Sequence, residues 1–397
     1  MRKYLYILLT IALLVVPLAV DHMVPELPID RVTGAEDEVL PIEKLSTGLQ
    51  FFDDKQTTIT PRKTELAQRP EALEHMVKQS QFDFEQTRQP QRYDSRELIE
   101  AYKNVIIQKS HFNITFANDI FNNTDSYYTN GIRFDFIHPA LSKSPLAFLL
   151  HNSRHAYDDL YGLSLVQNIY TATNPDLEQI VPGDRPFSAY LTIGQYKVSV
   201  NRYNGNRISS GLNIGMIGPS SLGGMVQSSI HEVPALGWKH QIKNDLIVDY
   251  FLDIEHQLQK YGPLQIDLLS GLNLGSLYNK AYLGIGVRAG NFPTYDCCRF
   301  LAPGEHKPGP EVKYALFARA SNYFVGYDAT LQGGLMNRSS DYTISAENLN
   351  RNVFMASAGF TITWSKYTLK AEQFYLSPEF KTGRVHRWVN ISTSFLL

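Results

Sequence analysis

Between Phe116 and Phe136 the chain reads FANDIFNNTDSYYTNGIRFDF. The flanks alternate apolar and polar residues, as paired strands do, but the middle carries more Asn, Asp and Thr than a turn requires. Oxygen-bearing side chains such as Asn118, Asp119 and Thr129 are hard ligands of the kind that suit Ca²⁺. A second stretch, GPSSLGGMVQSSIHEVPALGWKHQ, holds His231. There Pro219 precedes Ser220 and Ser221, either of which can cap. Leu222, Met225, Val226 and Ile230 recur at helical spacing, and Pro234 blocks extension. This predicts a short helix over 221–231 with Gln227 and His231 one turn apart on one face. A His beside a Ca²⁺-type site is a water-activating arrangement. Both features also have a plainer reading, an Asn/Asp turn closing polar strands and a His on the surface.

The elements that must position these residues repeat from His111 to the C-terminus. Twelve alternating segments follow one another, from HFNITFAND to HRWVNISTSFLL, separated by breaks rich in Gly, Pro and Asn. A soluble β-sandwich and a transmembrane β-barrel both alternate in this way. Segments of ten to fourteen residues exceed sandwich strands and match the roughly nine to eleven that a tilted membrane strand needs. The 23 Tyr and 21 Phe cluster near segment ends, as interfacial girdles do. The fold expected is therefore all-β, a twelve-stranded antiparallel transmembrane barrel with a short helix in an external loop.

An even strand count puts both barrel termini on the periplasmic side and residues 120–128, 173–185, 218–243 and 326–350 outside. Parity then turns Phe112, Ile114 and Phe116 to lipid and Asn113, Thr115, Ala117 and Asp119 to the lumen. On the second strand Ile132, Phe134 and Phe136 face lipid, while Thr129, Gly131, Arg133 and Asp135 face inward. Asp119 and Thr129 are expected to meet near the outer rim with Asn118 adjacent. The loop helix is expected across the barrel mouth, setting His231 beside them.

The remaining features bound the biology. Met1-Arg2-Lys3 followed by the apolar run Tyr4 to Val20 reads as a signal peptide over 1–20, with an uncleaved anchor helix as the alternative. Residues 21–109, rich in Glu, Gln, Arg, Lys and Pro, read as a largely flexible periplasmic extension, with short helices near 71–79 and 95–104. A small partner-binding module is the other reading of that segment. The barrel occupies 110–397. A net charge of −2 leaves no basic footprint for nucleic acid. Cys297 and Cys298 are adjacent, so they offer neither a disulfide framework nor metal-ligand spacing. Asp184-Arg185 is either a rim ion pair or, through Arg185, a phosphate contact, and Trp238 is expected to anchor its loop at the membrane interface.

Four motifs, ANDIF…YYTNG, GDRPFSAYL, IGPSSLGGMVQSSIH and W-x-x-Q-I, resemble in order and spacing the outer-membrane lipid A 3′-O-deacylase family over about 111–397. The resemblance implies a carboxylic ester hydrolase in the Gram-negative outer membrane, its active site at the outer leaflet between the wall and a loop helix. It implies a Ca²⁺-dependent removal of the 3′-linked acyloxyacyl chain from lipid A of lipopolysaccharide. By motif, Asn118, Asp119 and Thr129 match the metal-side and positioning residues and His231 the base. The family carries a catalytic Glu a few residues after this His, where this chain offers only the adjacent Glu232. Some members carry basic residues in the second external loop, where this chain has only Arg185 nearby. No oligomerisation stripe is evident, so a monomer is expected. A Ser–His phospholipase-type esterase using Ser228 or Ser229, and a porin or adhesin-like barrel, are the rival readings.

Overall fold

Alternation over twelve segments becomes twelve long antiparallel strands. The computed structural model describes residues 103–119, 127–153, 156–174, 177–230, 236–292 and 312–397, all within one unit, 95–397. The expected signal peptide, the extension up to residue 102, the candidate helix at 71–79 and Cys297 with Cys298 lie outside the described residues. So does most of the candidate helix at 95–104, whose last two residues, Lys103 and Asn104, are non-helical.

A short strand β1 (Val105–Ile106) is followed by the long strands β2 (His111–Asn118), β3 (Tyr127–Ile137), β4 (Tyr157–Thr171), β5 (Ser188–Asn201), β6 (Arg207–Ile217) and β7 (Asp245–Tyr261). Then come β8 (Leu264–Gly275), β9 (Tyr278–Gly290), β10 (Lys313–Asp328), β11 (Asn352–Trp364), β12 (Tyr367–Leu376) and β13 (His386–Leu396). Each long strand pairs with its sequence neighbours, and β13 pairs with β2, which closes the sheet. β1 lies parallel to the start of β4, Val105 against Asp158, and ties the chain to the wall before the first long strand.

Alternation assigns the two faces. Leu163, Leu165, Ile193, Leu283, Ile285, Leu316 and Ile362 stand exposed on the outer wall as a lipid-facing belt. Aromatic rings bracket it. Phe354 packs on Tyr375 near the outer rim, and near the termini Trp364 stacks on Tyr367, which meets Phe395 edge-on. Such girdles mark the two membrane–water interfaces.

The lumen is filled rather than open. At the terminus side Ile107, Ile137, Leu160, Tyr196, Val198 and Val200 form an apolar plug. Beside it Arg207 pairs with Glu255 at 3.2 Å, and Arg288 and Arg319 approach the same carboxylate at 3.9 and 3.7 Å. Opposing charges in a low-dielectric interior hold one another in this way because neither has water to turn to. Towards the outer rim Tyr170, Tyr190 and Tyr278 pack with Ile217 and Ile247. The lumen is thus a layered interior of ion pairs and aromatic rings.

Two parts of the outer wall are covered by the chain itself. Near the termini, the β3–β4 connection runs over the wall in 3-10 turns at Pro139–Lys143 and Ala147–Leu149. It covers a buried Lys197–Asp159 pair, 3.0 Å apart, that shares its carboxylate with Ser199 and Ser153. An ion pair on a lipid-facing wall demands such a cover, since exposure to hydrocarbon is costly. The second cover lies at the outer rim and belongs to the candidate site.

Reconstituted in a planar bilayer, the protein is expected to pass no steady current above the membrane baseline. Stepwise conductance of porin size would contradict the filled lumen.

Candidate functional site

The hairpin β2–β3 delivers the expected residues to the outer rim, with one irregularity that alternation does not show. β3 slips register against β4 between Tyr128 and Asn130, so Thr129 is the extra residue of a β-bulge. Tyr127, just before it, has φ 66°, a left-handed backbone that a bulky residue holds only under constraint. The constraint comes from three sides. The Tyr127 hydroxyl accepts from the Arg384 backbone N–H at 3.2 Å, and its ring packs on Phe380. His386 donates from Nε2 to the Tyr128 carbonyl at 3.1 Å. Asn118 donates from Nδ2 to the Thr129 carbonyl at 2.9 Å.

Asp119 and Thr129 are both 2% exposed, Thr129 within this pinned segment and Asp119 next to Asn118 at the end of β2. Asn118 is the register partner of Asn130, and both continue the outward row of Phe112, Ile114 and Phe116. A lipid-facing row therefore ends at the outer rim in a pair of carboxamides. The rim site is built on the outer face of the wall as well as on its edge.

The loop helix packs on that same outer face and departs from its expected pose. Helix α1 (Gly223–Ile230) begins two residues later than expected. It follows a 3-10 turn at Pro219–Ser221 and a left-handed Leu222. Ser221 donates back to the Gly218 carbonyl at 2.6 Å rather than capping the helix. α1 does not lie across the barrel mouth. It packs against the outward residues Ile169 and Ala189, with Phe187, Trp238 and Val226 completing the cluster. The contact is close enough that a Cβ on Gly223 would sit 2.1 Å from that of Ala189. Leu222 and Met225, expected as the buried stripe, are 47% and 60% exposed, whereas Gln227 is 2% exposed. Gln167 on β4 donates to the Ser221 carbonyl at 2.6 Å and fixes the entry to the helix.

Trp238 is buried against Phe187 at 5.4 Å rather than lying at the membrane interface, so it anchors the loop to the wall. The limb leaving this loop is fastened to its neighbours by ions. Lys239 pairs with Glu178, and His240 and Lys243 both contact Asp341, at 3.1 and 3.2 Å. Hydrogen bonds from His240 and Lys243 hold the Asp341 carboxyl below the usual carboxylate range. The bond from Lys239 does the same for Glu178.

Arg185 is neither at the membrane face nor paired with Asp184. It is 2% exposed inside the outer rim, bonded to Glu379 and, at 2.7 Å, to the Thr330 hydroxyl. Its guanidinium stacks on Tyr170 at 4.4 Å. Asp184 instead accepts from the Thr173 backbone N–H at 2.8 Å and from its hydroxyl at 2.9 Å. The ion-pair role required a partner adjacent in sequence, and the phosphate role required an exposed guanidinium. Glu379 and Thr330, which lies in the short helix α2 (Ala329–Gln332), come from distant loops, and no local signal could have shown them.

His231 and Glu232, the expected base and its neighbouring carboxylate, lie outside the described residues. α1 ends at Ile230, immediately before them. Of the nearby serines, Ser229 spends its hydroxyl on the Met225 carbonyl at 2.7 Å. The donors gathered at the hairpin are a carboxylate, a carboxamide and a hydroxyl. Among the described residues no three His, Cys, Asp or Glu side chains converge as a metal cluster. The chemistry of this donor set fits a hard cation such as Ca²⁺ better than a metal bound by nitrogen or sulfur.

The fold defines a closed antiparallel β-barrel that carries a carboxamide pair, Asn118 and Asn130, on its lipid-facing wall. The family model described as outer membrane protein LpxR matches residues 95–397, and the chain belongs to that family. It is an outer-membrane protein. The structure of LpxR from Salmonella typhimurium aligns over 72% of this chain and 100% of that one, at 22% identity and a TM-score of 0.57, and shares the barrel fold. The β-domain of the Bordetella autotransporter BrkA aligns over 72% of this chain and 97% of its own, at 10% identity and a TM-score of 0.38. No curated protein matches the sequence.

Two outcomes test this architecture. Gly223→Val is expected to lift α1 from the wall, so that trypsin cuts faster after Lys239 and Lys243 while the heat-modifiable gel mobility of the barrel is unchanged. Arg185→Met leaves Glu379 without its cation and is expected to cost about 3–5 kcal/mol, read as a lowered thermal midpoint of barrel unfolding.

Proposed function

We propose that the chain is a carboxylic ester hydrolase that removes the 3′-linked acyloxyacyl chain from lipid A in the outer leaflet. The reading is supported chiefly by the outward carboxamide pair Asn118–Asn130, beside buried Asp119 and Thr129, in a chain of the LpxR family. A polar rung on a lipid-facing wall suits a substrate that arrives sideways, with its acyl chains still in the membrane.

Asn118, Asp119 and Thr129 would hold Ca²⁺, which when bound supplies a Lewis acid to polarise the ester carbonyl. The remaining work falls to side chains. The Asn118–Thr129 hydrogen bond keeps the two strands of the hairpin in register at the site. His231 accepts a proton from water as its oxygen bonds to the acyl carbon. As the carbon–oxygen ester bond breaks, His231 returns that proton to the leaving sugar oxygen. The products are a free hydroxyl on the sugar and an acyloxyacyl acid. Gln227, one helical turn before His231, orients the water or the acyl carbonyl, and Glu232 is the carboxylate available to orient the imidazole. The reaction belongs to the barrel of 110–397 in a single chain, with 1–20 serving export and 21–109 extending into the periplasm.

A serine esterase is less well supported, because Ser229 is committed to the helix backbone. A porin is less well supported, because ion pairs and aromatic rings occupy the lumen.

Expression in cells carrying hexa-acylated lipid A, followed by mass spectrometry of the lipid, tests the reading. Loss of one 3′-linked acyloxyacyl unit is expected with Ca²⁺, with none in chelator or in Asp119→Ala and His231→Ala. Unchanged lipid A from a correctly folded barrel in Ca²⁺ would overturn it.

A further inference from the structure

The substrate of such a site carries phosphate, yet Arg185, the cation the sequence offers for it, is buried and committed. The register of the last strand supplies another. Asn118 sits directly opposite Val389 across the β2–β13 seam. Arg387 is two residues further toward the outer rim on the same strand, so it shares the outward face with Asn118. Diagonal neighbours of this kind lie about 7–8 Å apart. The residues flanking Arg387 confirm the alternation. His386 and Trp388 stack on each other at 5.5 Å, and Trp388 lies edge-on to Tyr128 inside the barrel.

Height agrees with position. Arg387 is the register partner of Tyr375, whose ring packs with Phe354 in the outer aromatic girdle. That is the level of lipid headgroups. Charge agrees as well. The β12–β13 loop and the start of β13 carry Lys381, Arg384 and Arg387, all exposed. The loop's one carboxylate, Glu379, is taken by Arg185. Among the described residues Arg387 contacts the Tyr375 ring, 5.8 Å from its centroid, and has no carboxylate within ion-pair distance.

We propose that Arg387 is an anion-binding residue that holds the phosphate of an outer-leaflet lipid beside Asn118. The proposal rests on the reading of the outward wall as the substrate face. α1 then walls the trough over β4 and β5, and Arg387 walls it over β13. The Asn118–Asn130 rung is the floor between them. A guanidinium can meet two phosphate oxygens at once, which fixes orientation as well as position.

The test is equilibrium binding of the full chain in detergent, with chelator present so that no hydrolysis enters. Native mass spectrometry reads lipid occupancy for bisphosphorylated lipid A, the same lipid after phosphatase treatment, and phosphatidylglycerol. Arg387→Gln is expected to weaken binding of the phosphorylated lipid A about tenfold and to leave the dephosphorylated lipid unchanged. Arg387→Lys keeps the charge but not the fork and is expected to recover part of the loss. A parallel loss on phosphatidylglycerol would support the site and assign it to lipid phosphates in general. An unaltered phosphatidylglycerol affinity would support the site and restrict it to the glycolipid. No loss on phosphorylated lipid A, or equal losses with and without phosphate, would overturn the proposal. Unchanged heat-modifiable mobility of the variant shows that the barrel is intact. If binding falls as expected in a protein that never deacylates lipid A, the anion site stands and the hydrolase reading fails.

Discussion

Everything in this barrel follows from the need to satisfy backbone hydrogen bonds in hydrocarbon. A sheet immersed in lipid has no water to cap its edges, so the ladder must close on itself. The β13–β2 seam performs that closure. Once it is closed, each strand has one face turned to lipid and one to the lumen, and every polar side chain must be accounted for on one side or the other. Inside, Arg207, Arg288 and Arg319 surround Glu255, and Arg185 answers Glu379. Outside, polar groups survive only where something covers or uses them.

Two of the polar groups on the outer wall make an informative contrast. Lys197 and Asp159 are sealed by the β3–β4 connection, whose Leu141 carbonyl accepts from Gln195 on the same wall. The Asn118–Asn130 rung is not sealed in that way. α1 stands over the neighbouring strands and leaves the carboxamides half-buried. The bulge at Thr129 makes this edge rigid. Tyr127, Tyr128 and Thr129 are gripped by the β12–β13 loop, β13 and β2 in turn.

Much of this was legible in the sequence because a barrel strand states its two faces every second residue. The twelve segments, the lipid-facing row from Phe112 to Phe116 and the placement of Asp119 and Thr129 at the outer rim were read from alternation alone. What escaped was set by contacts between residues far apart in the chain. The Thr129 bulge is visible only against β4. The helix face could not be read because the small Gly223, rather than the apolar Leu222 and Met225, makes the close contact with Ala189 on a distant strand. Arg185 was misplaced because its partners, Thr330 and Glu379, follow it by well over a hundred residues.

The sideways opening of the Asn118 rung has a kinetic consequence. A ligand that reaches this wall travels in two dimensions and never enters the aqueous phase. Its effective concentration is a mole fraction in the leaflet, so diluting a suspension of membranes leaves encounter frequency untouched, whereas diluting the target lipid with inert lipid lowers it. Rates measured on such a surface should scale with membrane composition and with the lateral mobility of the lipids. A water-soluble competitor, however well it matches the headgroup, would have to partition into the bilayer before it could compete.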